Sequence, residues 1–480
     1  MATDPAPERT VSTRTGDRRP PGRATAANSA VVVAAVASCA LIVDAPVRNG
    51  PLGPVAAVVG TAAVLFALRE EGRGRGPKLA VALAAIVITG IVAMIGRPLS
   101  PDVWAYVSYG RIFGLRHADP YLRTPASFPH DPYLHLIAPP WRNVPVIYGP
   151  VFVAYSALGA ALARGNEVIA RLFHQLIALA ALGAILRILW VRTRSVAVIA
   201  LVALHPVIAV WTLQGAHNDL LVGLAILGAV VLAGRDRWVL AALVLALGAL
   251  VKIVVLVVAL GLGVWCLRRR GVRSAAAFGI PCLAVVAAGY AIAGGAAIRA
   301  LDLSAGRVTA QSVFQIPRWV VVHGAPVRGE AHRLVELRGL TSFSLVLVLV
   351  LAAVFAWRRA RRGSAGPDGA AAWAGASYEF SAAYVLPWYV AWVLPVAALR
   401  PRSVLLRLVV LQAGFLAAFH ELGVHWRAPG LTWLVAYVVP VGFFVAFVLF
   451  GWRESRATSG APVESVDPDG GAVTGSTRAT

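Results

Sequence analysis

Charge is scarce in this chain. Only 14% of its 480 residues are charged, where a soluble domain carries about 25%, and mean hydropathy is +0.73. An ordinary soluble domain is thereby excluded. Cysteine is nearly absent too. Cys39, Cys266 and Cys282 lie in or at the end of apolar runs and form no CxxC pair, so neither a disulfide framework nor a zinc site is implied. Val36-Ala37-Ser38-Cys39 weakly resembles a lipoprotein cleavage box, but it lies inside an apolar run and reads as ordinary helix. Strict period-two alternation is missing, which argues against a transmembrane β-barrel. No clear internal repeat is present. The Asp-x-Asp motif Asp467-Pro468-Asp469 falls in a Gly/Ser/Thr-rich tail, where it reads as chance.

What the chain has in abundance is apolar length. Hydrophobic residues make up 59% of it, in repeated runs of roughly 15–20 residues, the length needed to cross a bilayer core. The fold class expected is all-α and polytopic. A formal charge of +22 would suit nucleic acid, but the arginines sit in short clusters between apolar runs. That is the positive-inside pattern, not an aromatic-interleaved groove. No nucleic-acid partner is expected.

Residues 1–28, rich in Arg, Pro, Ser and Thr, are expected to form a disordered cytoplasmic tail, residues 29–452 a transmembrane domain, and residues 453–480 a second tail. The first spans fall at about 30–44, 54–68 and 79–96. The basic turn after the second belongs inside, so residues 97–150 form a large outer loop. Segment 149–163 decides the parity. If it does not cross, later spans at about 168–190, 195–211, 218–234, 237–251, 252–267, 274–292, 342–358, 370–386, 388–399, 404–420 and 430–452 keep the arginine clusters cytoplasmic. Those clusters are Arg192/Arg194, Arg235/Arg237, Arg268/Arg269/Arg270/Arg273, Arg358/Arg359/Arg361/Arg362 and Arg400/Arg402. A full crossing would turn every one outward. The segment is therefore expected to be interfacial or re-entrant, giving about fourteen spans with both termini cytoplasmic.

The outer face then gathers the loop 97–150, the turn 214–219, Lys252, a second loop at 293–340 and the turn at Trp388 and Tyr389, with His420, Glu421 and His425 on the same side. Ser100-Pro101-Asp102 reads as a helix start, with Ser at the cap and an acid favoured by the macrodipole. His217, Asn218 and Asp219 sit at a helix end where water is available. They could cap the next span or orient a phosphate or sugar hydroxyl. Lys252 interrupts an apolar run with no neighbouring charge, as a snorkelling lysine or as a point-charge partner for a lipid-linked phosphate. Arg318, beside the interfacial Trp319, reads either as a plain basic loop residue or as a similar phosphate partner. Glu379 either is a buried acid or marks a different span boundary. The outer aromatics, among them Trp104, Tyr106, Tyr121, Tyr148, Trp388 and Tyr389, fit an interfacial belt as well as a sugar site.

These signals join in their order. A loop beginning Ser100-x-Asp102-Val103-Trp104-x-Tyr106 is followed by Asp119-Pro120-Tyr121 and Tyr148-Gly149-Pro150. Gly215-Ala216-His217-Asn218-Asp219, Lys252, Leu386-Pro387-Trp388-Tyr389 and Leu394-Pro395 complete the series. From about residue 79 to 400 this resembles the GT-C class of integral-membrane glycosyltransferases, most closely the actinobacterial polyprenol-phosphate-mannose-dependent α-1,6-mannosyltransferases. The resemblance implies a GT-C-type bundle in the plasma membrane. It implies transfer of mannose from polyprenyl-phosphate-mannose to a lipid-linked mannan or other envelope glycan on the outer face, with no cofactor and no metal. The base, an aspartate of the first large outer loop, maps onto Asp102. Lys252, Arg318 and His217 would hold the donor phosphate. Trp104, Tyr106, Asp119, Tyr148, Asn218, Asp219, Trp388 and Tyr389 would line the sugar and acceptor sites. Many relatives carry a second acid in the loop, for which Asp119 is the nearest substitute here. The rival expectation is a transporter or flippase of a lipid-linked sugar, which would place ionisable groups near the midplane on broken helices and often show repeats. A structural partner in an envelope-assembly complex is a third. For the enzyme, Asp102 should face a cavity shared with His217, Lys252 or Arg318.

Overall fold

The computed structural model describes residues 23–44, 52–98, 100–304, 306–323, 330–361, 366–420 and 429–454. Most of both expected tails, with the Asp467 motif, and the positions of Glu421 and His425 lie outside the described residues. Among those described, all regular structure is helical and no strand occurs.

The first three apolar runs form α1 (Arg23–Asp44), α2 (Leu52–Gly72) and α3 (Leu79–Ile95), α1 beginning within the stretch expected as tail. The 97–150 loop contains α4 (Asp102–Gly114) and the single turn α5 (Pro139–Arg142). Next comes α6 (Pro150–Ala163), whose 14 residues rise about 21 Å. That is shorter than a hydrocarbon core of roughly 30 Å, a length it shares with the later helix Trp238–Val251, so length alone does not decide whether it crosses. Asn166 and Ser195 cap α7 (Glu167–Thr193) and α8 (Val196–Leu204), their side chains accepting the N–H groups of Ile169 and Val198. At Pro206, which has no N–H to donate, the chain bends by 53° into the π-helical turn Val207–Gln214.

Beyond it run α9 (Asp219–Ala233), α10 (Trp238–Val251), α11 (Leu256–Arg270) and α12 (Val272–Ala293). Although the sequence offers no turn residue at Val251-Lys252, the helix stops there, with Lys252 extended at φ −149°, ψ 111°. The second outer loop holds α13 (Gly295–Ala300) and α14 (Gln315–His323), and α15 (Glu330–Ala360) starts within it. Then follow α16 (Pro367–Ser381), which ends five residues before the expected limit of 386, a 3-10 turn at Pro387–Tyr389, and α17 (Val390–Ala397). The series closes with α18 (Val404–Phe419), α19 (Pro429–Trp433) and α20 (Val439–Glu454). Each expected span falls on a helical segment. Among the described residues, six helices are long and apolar enough to cross a membrane, or seven with the bent pair, and the other apolar helices are shorter.

Two features fix the loop that carries Asp102. Carbonyls at the ends of α1 and α3 have lost their helical donors, and buried amides replace them. Gln175 Nε2 donates to Ala93 O at 3.3 Å and to Gln214 O at 2.9 Å, while Gln214 Nε2 donates to Arg97 O at 2.6 Å. Arg171 donates to Gly96 O. The second feature is the crossing of α4 on α6, which depends on a missing side chain. A Cβ on Gly110 would lie 2.1 Å from Ser156 O. Gly110→Ala should therefore cost about 1–3 kcal/mol, read as a lower thermal unfolding midpoint of the detergent-solubilised protein. Gly183→Ala, whose Cβ meets nothing within 4 Å, should leave that midpoint unchanged or slightly raised.

Candidate active site

Asp102 is the first residue of α4 and is partly exposed. The cap is displaced by one residue from expectation. Pro101 takes the cap position, and Ser100 Oγ accepts the Asp102 N–H at 3.3 Å. Residues spaced by four and three along a helix share a face, so Asp102, Tyr106 and Tyr109 point the same way. Tyr109 registers its neighbours: burial pushes its phenol up, the Asp102 charge adds to that, and the Arg307 guanidinium opposes it.

Trp104 and Arg111 occupy the other flank. Trp104 stacks on Tyr133 with centroids 5.9 Å apart, and Arg111 Nε donates to Asp131 Oδ2 at 2.8 Å. Arg116 Nη2 reaches the same oxygen at 3.1 Å, making buried Asp131 the hub that folds the loop onto α4. Asp119 closes its own turn, accepting the Tyr121 N–H on Oδ1 at 2.8 Å. Tyr121, its phenol raised by burial and therefore a neutral donor, donates to Tyr148 O at 3.0 Å. Neither Trp104 nor Asp119 is brought to the Tyr106 face.

Tyr148-Gly149-Pro150 is pinned to the end of α10. Gly149 donates its N–H to Val251 O at 3.0 Å, and a Cβ there would lie 2.1 Å from Leu250 O. Glycine is required by that approach, which sets the Tyr148 ring 5.6 Å from Lys252 Nζ. The Tyr106 hydroxyl lies 3.3 Å from that of Tyr148 and 3.1 Å from His217 Nδ1.

The turn after the π-helix places Ala216 in the left-handed region at φ 57°, a strained conformation for a residue with a Cβ. It delivers His217, Asn218 and Asp219, which are 1%, 4% and 0% exposed. The expectation of a water-accessible helix end is corrected here, because α17 and the 387–389 turn cover them. His217 stacks on Trp388 at 3.8 Å, and Trp388 meets His420 edge-on at 5.7 Å. Asn218 makes no cap bond; its side chain lies beside the Tyr155 hydroxyl without a formed hydrogen bond. Asp219 Oδ1 accepts from Lys252 Nζ at 2.8 Å and from Trp392 Nε1 at 2.6 Å.

Lys252 thus neither snorkels nor stands alone. It lies 4.4 Å from the Tyr389 ring centroid and 5.0 Å from that of Trp392, with Asp102 within electrostatic reach. The polar atoms left over are informative. His217 Nε2, Asn218 Oδ1 and Nδ2, and Asp219 Oδ2 are buried without a partner. Each such atom costs about 1–3 kcal/mol, a cost usually met by water, a ligand or a catalytic role.

Arg307, which the sequence reading did not single out, lies 4.4 Å over the Trp141 ring and within reach of Tyr109 and Tyr384. Several arginines in that loop look alike in sequence, so no signal distinguished it. Arg318 is not brought to the group: it lies on α14, where Trp319 stacks on His323. Glu379 is an interior acid of α16, 1% exposed, with both carboxylate oxygens unpartnered. Among the described residues, no three His, Cys, Asp or Glu side chains lie together as metal ligands.

A family model described as alpha-(1->6)-mannopyranosyltransferase, N-terminal domain, matches residues 23–269, more than half of the chain. The match takes in Asp102, Tyr148, His217, Asp219 and Lys252, whereas Arg307, Trp388 and Trp392 lie beyond it. No curated protein matches.

Breaking a buried pair by removing one partner costs about 3–5 kcal/mol. Lys252→Met and Asp219→Asn should each lower stability on that scale, and the double variant should lose clearly less than the sum. Thermal unfolding of the four proteins in detergent reads the coupling; strictly additive losses would show that the pair is not coupled.

Proposed function

The chain belongs to the MptA/B family of α-(1→6)-mannopyranosyltransferases, and from that premise we propose that it moves mannose from polyprenyl-phosphate-mannose to a lipid-linked mannan or other envelope glycan, with Asp102 as general base. The observation carrying this reading is one constellation. Asp102, partly exposed at a helix start, shares a face with Tyr106, and Tyr106 leads through His217 to a buried group that retains unpartnered polar atoms beside a lysine.

The chemistry balances with these groups. An acceptor hydroxyl oxygen attacks the anomeric carbon, the bond from that carbon to the donor phosphate oxygen breaks, and configuration inverts. Asp102 takes the hydroxyl proton. Its place in the first turn of α4 favours the ionised form. The polyprenyl phosphate departs with its electron pair and needs a cation, not an acid. Lys252, within electrostatic reach of Asp102, and Arg307, within reach of Tyr109 on the same face, supply positive charge, Arg307 taking the role expected of Arg318. His217 Nε2 and the Asn218 amide offer hydrogen bonds to phosphate or sugar hydroxyls, and the Tyr148, Trp388 and Tyr389 rings offer apolar faces to the sugar.

The arginine clusters lie at helix ends away from this group, which supports an extracytoplasmic site, fourteen crossings and two cytoplasmic termini in the plasma membrane. Membranes carrying the chain should transfer mannose from labelled polyprenyl-phosphate-mannose, and Asp102→Asn should lower the rate by roughly 10²–10⁴-fold. Full activity in that variant would remove Asp102 as base. Arg307→Gln should lower transfer roughly 10- to 100-fold, as loss of a charge-assisted contact does, with Arg318→Gln nearly unaffected. The reverse order would return the phosphate to Arg318.

A further inference from the structure

A cluster of six arginines, most of them without an acidic partner among the described residues, lies at the far end of the bundle from the site. The C-terminal ends of α2 and α7 and the start of α18 border an open cavity of about 880 Å³, lined in part by Arg69, Arg73, Arg192, Arg194, Arg402 and Arg407. Along α7, Arg192 is eighteen residues from His174, whose ring lies 5.9 Å from that of Tyr106. At 1.5 Å per residue this separates the cavity from the site by roughly 27 Å, close to the thickness of a hydrocarbon core. The two therefore open at opposite membrane surfaces.

Some arginines at other helix ends are matched by acids: Arg270 by Asp236 at 3.1 Å, Arg359 by Glu454, and Arg400 by Asp368. Arg73 has Glu70 at 2.8 Å. In the cavity wall the single acid is Glu71, and it is already engaged. Its carboxylate accepts Ser195 Oγ at 2.8 Å and the backbone N–H groups of Val196 and Ala197, closing the start of α8. Arg69, Arg192, Arg402 and Arg407 are exposed and have no ion pair among the described residues. Beneath them the wall turns apolar, with Leu65, Leu68, Leu399 and Leu411.

Unmatched guanidinium groups above an apolar floor call for an anion with a hydrocarbon foot. We propose that this cavity binds the phosphate headgroup of an anionic glycerophospholipid from the leaflet opposite the transfer site. Arginine forks suit phosphate oxygens, and basic pockets between spanning helices take such headgroups. The leucine floor accommodates the first acyl carbons, which a free phosphate ion would leave unused. The proposal needs only that the helices span a membrane and is independent of the transfer chemistry.

Binding of dioctanoyl-phosphatidylglycerol to the full chain in neutral detergent tests it, with dioctanoyl-phosphatidylcholine and inorganic phosphate as the other arms. Phosphatidylglycerol should raise the unfolding midpoint and bind at least tenfold more tightly than either. Arg192→Gln/Arg402→Gln should weaken it at least tenfold, and Arg235→Gln, at an exposed arginine outside the cavity, should not. Both sets replace exposed side chains, and the unliganded midpoint verifies folding. Equal binding of phosphatidylcholine, or undiminished binding by the double variant, would overturn the site. Inorganic phosphate binding as tightly as the lipid would overturn the lipid assignment.

Discussion

The ion pair between Lys252 and Asp219 holds together what the chain keeps far apart. Taking a lysine and an aspartate out of water costs several kcal/mol per ion, and only close geometry with further hydrogen bonds offsets it. Here one carboxylate oxygen receives both the ammonium and the Trp392 indole, and two stacked rings lie against the ammonium. The pair thereby binds the break between α10 and α11 to the start of α9 and to α17. The surroundings follow from it. Gly149 closes on Leu250 and Val251 just before the lysine, and that contact brings the outer loop to the interior group.

From this fixed centre the site grows outward through neutral links. Tyr148 and Tyr106 connect the lysine to the α4 face, and Tyr106 reaches His217, which rests on Trp388. The buried amides of Gln175 and Gln214 hold the chain where it leaves α3 for the loop. Asp102 therefore stands at the boundary between a rigid interior and the exposed loop, close to the lysine's field yet still accessible.

Much of this was legible in the sequence. Apolar runs and arginine clusters gave the helix order, because a bilayer imposes length and charge placement on each run separately. The grouping of Asp102, Tyr106, Tyr148, His217, Lys252, Trp388 and Tyr389 followed from their appearance on one expected face. Pairing was not legible. Asp219 and Lys252 are separated by a helical hairpin, and no spacing rule links them; the lysine therefore read as solitary. Burial of the 217–219 turn was missed because α17, far along the chain, covers it. Arg307 and Arg318 look equivalent in a loop rich in arginine, and only the placement of Trp141 and Tyr384 separates them. Trp104 and Asp119 belong to the 97–150 loop but face its own interior, a distinction of helix phase and turn geometry.

The rings around Lys252 have one more consequence, for selectivity against the solvent. Under the transfer proposed above, a base that withdraws a proton from a sugar hydroxyl could also withdraw one from water, and the same electrophile would then be lost to hydrolysis. Tyr148, Tyr389 and Trp392 occupy with carbon the volume in which the ammonium would otherwise hold its hydration shell. In that proposed transfer, a lysine stripped of its shell would bring no water molecules to the donor phosphate. The aromatic packing that makes the buried pair tolerable is thus also what leaves a competing nucleophile the least room.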